Sequence, residues 1–547
     1  MNVNEPPTTT VQEFDAVIVG AGFAGLYALK KLRDLGLSVR VLEAGAGVGG
    51  TWYHNRYPGA RCDIESLDYS YSFDNDLQQD WSWSERYAAQ PEILRYLNHV
   101  ADRFDLRKDV QLETFVSSAA YDENARAWCL ETEGGDRFES RYAIMATGVL
   151  SVPQVPAVAG LEDFTKPWYH SGDWPREGVD LRGKRVAVIG TGSSGTQMIP
   201  LLAQEADELL VFQRTPNFCM PAQNYPMNPS VEREWKANYT QRRVFARQSS
   251  FGHNQASNPA AGKDLTASQR REELESRWNL GGLYMMRAFS DILTDLDVNE
   301  EASEFVRAKI RSIVADPRTA EALSPRGLPL GTKRLCSGTG YYETFNRDNV
   351  TLIDTRTAPI ERLTANGVLT ADGEHAVDVI VFATGFDAMT GALNRLNPVG
   401  RDGTQLRQHW AGGPRTYLGL AVHHFPNMFI VAGPGSPSVF SNMVTSIEQH
   451  VEWIADAIVY LDSLGNATLE ATEVAEERWV AHVNDAAAST LYRDARATWF
   501  YGANTPGKPV VFMPYVGGVG NYWSRIVAVA QADYEGFDLR QVAAVTS

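Results

Sequence analysis

The sequence predicts an α/β protein with two Rossmann-like units and a helical insertion, on three observations. A glycine fingerprint, Gly20-Ala21-Gly22-Phe23-Ala24-Gly25, lies between an apolar run and a helical stretch. A second, Gly190-Thr191-Gly192-Ser193-Ser194-Gly195, repeats the same grammar. Two apolar runs, Tyr142-Ala143-Ile144-Met145 and Val379-Ile380-Val381-Phe382, each lead into Ala-Thr-Gly, where small residues let backbone come close to a nucleotide.

The elements follow in chain order. Residues 1–13 are polar at the start and read as a tail, with no cationic and apolar leader pattern. Residues 14–19 form a β-branched strand running into the first glycines. A helix is expected over 26–35, stopped by Gly36, and a strand over 39–42 with Glu43 at its tip. This is a βαβ unit, the context that gives a G-x-G-x-x-G its meaning. The 142–148 run closes the first half of that domain. The second unit has a strand at 185–189, a helix over 195–205 and a strand at 208–213, with Arg214 next. Residues 221–323 lack strand signals and carry helical stretches at 231–247, 268–279 and 300–314. They read either as a cover for a cavity or as a packing appendage. The 379–385 run returns the chain. The resulting division is 14–150 with 386–540 as one domain, 151–220 with 324–385 as the other, and 221–323 as the insertion.

At 547 residues the chain exceeds a single core. Its composition, 44% hydrophobic and 21% charged, is that of a globular protein. A net charge of −17 argues against a nucleic-acid partner and does not favour anionic membrane surfaces. No apolar run is long enough to span a bilayer, so a cytoplasmic protein is expected. Cys62, Cys129, Cys219 and Cys336 are scattered, without Cys-x-x-Cys, and read as free thiols. The histidines show no metal spacing, so no metal is expected. His423 and His424 are expected to point to opposite faces of a strand.

The glycines of each fingerprint serve a tight turn, close approach of a pyrophosphate and helix–strand packing. The helix N-terminus then offers free N–H groups to the anion. The two fingerprints end in opposite charges. A carboxylate such as Glu43 accepts from ribose hydroxyls and suits FAD or NAD, whereas a guanidinium such as Arg214 suits the 2′-phosphate of NADP. Thr215 adds a hydroxyl beside it. One chain with both sites fits hydride transfer from NADPH to a flavin. Residues 49–63 are dense in Gly, Arg and aromatics, and read either as a flavin-side loop or as structural filling. Lys333-Arg334 reads either as a cation pair near the flavin, able to stabilise an anion, or as surface charge.

These segments together resemble the Baeyer–Villiger monooxygenases, across residues 15–536. The family fingerprint F-x-G-x-x-x-H-x-x-x-W-[PD] is met here by Phe164, His170, Trp174 and Pro175, with Lys166 in place of its glycine. A second pattern, [AG]-G-x-W-x-x-x-x-[FY]-P-[GM]-x-x-x-D, is met in full over 49–63. Gly502-Ala503-Asn504 and the Gly-Pro-Gly-Ser-Pro-Ser run over 433–438 are shared with the phenylacetone, steroid and cyclohexanone members.

The resemblance implies roles residue by residue. On the FAD side stand Gly20, Gly22, Phe23, Ala24, Gly25 and Glu43, with Thr51, Trp52, Asp63, Tyr69, Val116 and Met443 lining the flavin. On the NADP side stand Gly190, Thr191, Gly192, Ser193, Ser194, Gly195, Thr196 and Gln197. Arg214, Thr215 and Lys333 hold the 2′-phosphate end, and Trp499 rides a mobile loop over the nicotinamide. Arg334, itself beside NADP, is the catalytic arginine, with Asp63 as its partner. Ile64, Pro437, Ser438, Val439 and Phe440 border the pocket of a small-molecule ketone. The implied reaction takes electrons from NADPH, uses O2 as co-substrate and passes through a C4a-peroxyflavin. Arg334 would stabilise the peroxide and the tetrahedral adduct, which yields an ester or lactone. Three rivals stand beside this reading: a monooxygenase of sulfur or nitrogen, a disulfide reductase, and a non-catalytic flavin-binding sensor. The reductase lacks its redox cysteine pair.

Overall fold

The computed structural model describes residues 11–541. Its first sheet has seven strands. Val11–Val19 runs parallel to Val39–Leu42 on one side and to Arg137–Met145 on the other. Val110–Gln111 extends the sheet beyond Val39–Leu42, and the hairpin of Val116–Asp122 and Ala127–Thr132 extends it antiparallel beyond Arg137–Met145. The last residues of that long strand pair instead with Met428–Ile430, which returns from late in the chain. Val17, Ile18, Ala143 and Ile144 are fully buried, as expected where a parallel sheet is covered on both faces.

Two boundaries differ from the sequence reading. The first strand starts at Val11, not at residue 14, because Val11 to Phe14 pair with Arg137 to Ser140 at the partly exposed end of the sheet. The polar Gln12 and Glu13 hide that extension in a pattern search. Residues 11–13 therefore belong to the strand, and the rest of the expected tail lies outside the described residues. The first helix spans Phe23–Asp34, so Gly25 falls inside its first turn. Leu26, Leu29 and Leu32 give it a buried stripe.

The second sheet is parallel throughout, in the order Val350–Asp354, Glu208–Gln213, Arg185–Ile189, Val379–Phe382, Trp168–His170. Between Gln213 and Val350 the chain leaves this sheet to make helices Pro229–Ala237, Tyr239–Gln248, Ala267–Leu280, Leu296–Ile313 and Pro317–Leu323. The single helix expected over 231–247 is two, broken at Asn238, whose φ of −122° and ψ of 15° are not helical. A short parallel pair, Cys219–Pro221 with Cys336–Gly338, joins the entry and exit of the insertion. Thr266 and Gln269 form a capping box at the start of Ala267–Leu280.

Lys166, the departure from the family fingerprint, has a local explanation. Its Nζ donates to the Val377 carbonyl at 2.7 Å and meets Asp378 Oδ1 at 3.2 Å. Arg185 binds the same carboxylate through its backbone N–H and its guanidinium. Hydrogen bonds from Arg185 and then Lys166 hold the Asp378 carboxyl far below the usual carboxylate range. The lysine thus ties the linker before Trp168–His170 to the neighbouring strand.

The expectation for His423 and His424 is corrected. They lie in a turn, His424 has φ +72°, and their rings stand 4.1 Å apart on the same side. His423 N–H donates to the buried Glu476 and His424 N–H to the buried Glu470, and these bonds set the turn. Among the described residues no helix is long and apolar enough to cross a membrane, and no group of acidic, His and Cys side chains could hold a metal ion.

Candidate active site

The C-terminal ends of the central strands of both sheets open on one continuous cleft of about 1760 Å³. A pocket for one small ligand is usually several hundred Å³, so this cleft is sized for more than one.

At the first sheet, Gly20 has φ +105° and a Cβ there would stand 2.6 Å from the Ala146 carbonyl oxygen. Glu43 follows the strand Val39–Leu42 and is buried. Its carboxylate accepts from the Ala21 N–H at 2.6 Å and from the Gly45 N–H at 2.7 Å. Those bonds fix the carboxylate at the cleft wall, beside the turn that a dinucleotide pyrophosphate would meet. Gly22 and Gly50 face each other so closely that a Cβ on Gly50 would come 2.9 Å from the Gly22 Cα. Trp52 Nε1 donates to the Tyr69 hydroxyl at 3.1 Å, and Phe23 packs edge-on to Tyr69. Phe23, Ala24, Thr51, Trp52, Tyr69, Val116 and Met443 all border the cleft.

At the second sheet, Gly190, Thr191, Gly192, Ser193, Ser194 and Gln197 border it, and Arg214, Thr215 and Lys333 close the far end. Arg214 and Thr215 are exposed. Burial pulls the Lys333 ammonium below its ordinary pKa and Arg214 pulls it further, against the Cys336 thiol. Neither cation has a carboxylate partner among the described ion pairs. Two uncompensated cations at the tip of a Rossmann strand are a fit for a phosphate dianion.

Between the two ends lies Arg334. Its Nε and Nη2 reach Asp63 at 3.0 and 2.7 Å, in a two-pronged ion pair, and Nη1 donates to the Val439 carbonyl at 2.6 Å. Asp63 ends the loop of residues 49–63, whereas Arg334 leads into the strand at Cys336–Gly338, so the pair spans both halves of the molecule. Burial alone would lower the guanidinium pKa; the Asp63 carboxylate outweighs it and raises it. Arg334 is therefore a permanent cation. Nη1 keeps a second N–H, and the residue borders the cleft.

Some sequence-predicted residues do not reach the cleft. Gly25 and Gly195 pack under Gly20 and Gly190, where a Cβ would overlap each carbonyl oxygen. Thr196 is buried and turns its hydroxyl to the Ser193 carbonyl. Pro437 and Ser438 stand behind Val439, with Ser438 Oγ against Met389 Sδ. Phe440 packs on Phe500, Tyr492 and Phe512, centroids 4.6, 5.0 and 6.0 Å away, and forms part of the wall behind the cleft. Ile64, Val439 and Trp499 do border it.

The structure adds contacts that the sequence did not reveal, for two residues already named, Gln197 and His170, and for Gln154 and Lys508, which were not. Gln197 accepts from the Tyr57 hydroxyl at 2.8 Å and donates to the Arg61 carbonyl at 3.1 Å, locking the 49–63 loop onto the second Rossmann helix. His170 accepts the Gly172 N–H on Nδ1, and its Nε2 faces the Thr384 hydroxyl at 3.3 Å. Burial lowers its pKa, so the ring is neutral and works as a hydrogen-bond post between the connections near Gln154 and Gly385. The segment after Trp499 is held down by Asn504 Nδ2 donating to the Phe386 carbonyl at 2.8 Å and by Gln154 Nε2 donating to the Asn504 carbonyl at 2.9 Å. Lys508 Nζ completes the latch on Asp387 Oδ1 at 2.6 Å and the Ala388 carbonyl at 2.7 Å.

A family model described as pyridine nucleotide-disulphide oxidoreductase matches residues 17–250, a span that holds both glycine fingerprints. All four cysteines are free, so the redox pair of a disulfide reductase is missing. The chain is 42% identical over 541 residues to a Baeyer-Villiger monooxygenase of Pseudooceanicola batsensis, covering 98% of each chain. It is 44% identical over 530 residues to phenazine N-monooxygenase PhzNO1 of Lysobacter antibioticus, covering 96% of this chain and 97% of that one. Among solved structures, an oxidized steroid monooxygenase bound to NADP superposes with a TM-score of 0.93 at 48% identity, over 97% of this chain and all of that one.

Proposed function

The chain belongs to the Baeyer–Villiger monooxygenases, the NADPH-dependent flavin enzymes, and we propose that it inserts one oxygen atom of O2 beside the carbonyl of a small ketone to give an ester or lactone. The observation that carries this reading is the Asp63–Arg334 pair, set between a fingerprint ending in Glu43 and one ending in Arg214. FAD fits the Glu43 side and NADP the Arg214 side, for the geometric reasons given above. A bound flavin supplies the hydride acceptor and the activation of dioxygen; the protein supplies placement and charge.

Arg334 provides a fixed cation with a free N–H at the place where negative charge would develop on oxygen. Asp63 holds that guanidinium in one orientation and offsets part of its charge. The latch of Gln154, Asn504 and Lys508 keeps Trp499 over the cleft and keeps water out. In this reading the connections braced by His170 join a flavin domain of 11–150 with 386–540 to an NADP domain of 151–220 with 324–385. The reading calls on no nucleic acid, metal or membrane, and a cytoplasmic location is proposed with it.

Oxidation of a nitrogen or sulfur atom is a second reading, favoured by the similarity to a phenazine N-monooxygenase. Product analysis on cyclic ketones, thioethers and aromatic amines separates the two. Ester or lactone as the main product supports the first reading; N- or S-oxides alone support the second.

Two substitutions test parts of the account. Arg214→Ala removes one of the two phosphate-facing cations, and its preference for NADPH over NADH is expected to fall about ten- to a hundredfold in kcat/KM. An unchanged ratio would show that Arg214 does not read the phosphate. Lys508→Ala frees the latch, and the yield of product per NADPH consumed is expected to drop by about half or more, with hydrogen peroxide making up the difference. Unchanged coupling would remove the latch from the mechanism.

A further inference from the structure

Four arginines border the cleft: Arg61, Arg214, Arg334 and Arg395. Arg61 is paired with Glu85 and Arg334 with Asp63. Arg214 stands after the second fingerprint, where the phosphate of NADP fits. Arg395 has no such assignment. It is exposed to the cleft, and among the described residues it has neither an ion pair nor a hydrogen-bond partner.

Its place is set by packing. Arg395 lies in the last turn of the short helix Gly391–Leu396, which ends at Asn397 with φ +49°. Leu393 of that helix is buried in one cluster with Leu42 and Val116, and Leu396 packs against the same cluster. The helix is thus seated on the strand that opens at Val116. The Arg395 guanidinium lies over the Phe115 ring, 4.8 Å from its centroid, and both residues border the cleft. The backbone behind that ring is fixed in turn, because the Phe115 carbonyl accepts from the Glu133 N–H at 2.9 Å.

This stretch is laced to Glu43. The Glu43 N–H donates to the Gln111 carbonyl at 2.9 Å, the Glu113 N–H to the Gly45 carbonyl at 3.0 Å, and the Thr114 N–H to the Glu43 carbonyl at 2.9 Å. Thr114 and Phe115 therefore continue the cleft wall beyond the carboxylate that suits a ribose. In an adenosine the base is bonded directly to that ribose. The groups this wall offers to the base are Thr114, Phe115, Val116 and Arg395. Bases stack on aromatic rings and on guanidinium planes. A guanidinium has two flat faces, and the Phe115 ring takes only one of them.

We infer that Arg395, backed by Phe115, is the platform on which the adenine of FAD stacks. This rests on the reading that FAD occupies the Glu43 side, given under Proposed function. Adenine carries no charge, so the planar face of the guanidinium is what the base meets, and an ammonium at the same place has no such face.

The test is retention of FAD by the purified holoenzyme, followed by flavin fluorescence on stepwise dilution. Arg395→Ala and Arg395→Lys are each expected to raise the dissociation constant of FAD about tenfold, and Arg395→Gln, which keeps a planar group, by less. Phe115→Leu removes the support of the guanidinium and should raise the constant about threefold. With FAD added to saturation, the melting temperature of Arg395→Ala and its KM for NADPH should return to the wild-type values, which a general loss of packing would not allow. FAD affinity in Arg395→Ala equal to that of the wild type would overturn the inference, and so would full retention by Arg395→Lys, which would show that charge alone matters. A melting temperature that stays low at saturating FAD would overturn it as well, by making Arg395 a purely structural residue. A wild type that binds no FAD would overturn this inference together with the flavin reading, whereas equal retention by wild type and variants overturns this inference alone.

Discussion

Arg334→Ala is expected to abolish ester formation while NADPH is still consumed. The argument is geometric. Asp63 and the Val439 carbonyl together fix the guanidinium at 2.6 to 3.0 Å, so little reorganisation is needed when charge develops next to it. Removing one preorganised donor to a developing oxyanion usually costs a hundred- to a thousandfold, about 3–4 kcal/mol. Here a full charge is removed and Asp63 is left as an unpaired anion at the cleft, so the loss should lie at or above the upper end of that range. Hydride transfer draws on groups at the nucleotide sites, and its rate should change much less. Arg334→Lys should restore little, because an ammonium cannot hold both Asp63 oxygens and the Val439 carbonyl from one plane. Stopped-flow absorbance with NADPH, paired with chromatography of the product, checks both halves. Ester yield within tenfold of the wild type in Arg334→Ala would remove the arginine from the chemistry.

Gly25→Ala is expected to be the most damaging single methyl group in the chain. A Cβ at Gly25 overlaps the Gly20 carbonyl oxygen, and Gly20 is itself held at φ +105° with the Ala146 carbonyl on its other side. The obstacle is backbone on both sides, so no side chain can turn away. Overpacking of this kind typically costs about 1–3 kcal/mol, and the absence of a flexible neighbour places this case at the upper end. The shift would also displace the helix N-terminus that faces the pyrophosphate, so retained FAD should fall with stability. Gly36→Ala is the control: Gly36 has φ +84° but open space around it, so only backbone strain of about 1 kcal/mol is expected there. Melting temperature and the flavin content after gel filtration separate the two. A Gly25→Ala protein that keeps its flavin and its melting temperature would contradict the packing account.

Much of this site could be read in the sequence because its chemistry is local. Each fingerprint, with its strand, helix and terminal Glu43 or Arg214, fits in one βαβ unit, and periodicity with glycine spacing exposes such a unit. Residues 49–63 and 331–336 could be singled out by composition, but their joining through Asp63 and Arg334 came only with the family resemblance, since nothing local links the two stretches. The same holds for Lys508 with Asp387, for Tyr57 with Gln197, and for Lys166 with Asp378. Each is a side-chain contact between distant segments and leaves no pattern in either. The His423–His424 pair departs from the expected strand because two buried glutamates, absent from the local sequence, set a turn there.

The central claim is that an oxygen atom from O2 is placed next to a ketone carbonyl by the Asp63–Arg334 site. The most direct measurement is single-pot turnover of a cyclic ketone with NADPH under heavy-isotope dioxygen in ordinary water, with mass spectrometry of the product. The account predicts a lactone carrying one heavy oxygen in the wild type and none formed by Arg334→Ala. NADPH consumption that yields only hydrogen peroxide across a panel of ketones, or a lactone labelled from water, would contradict it.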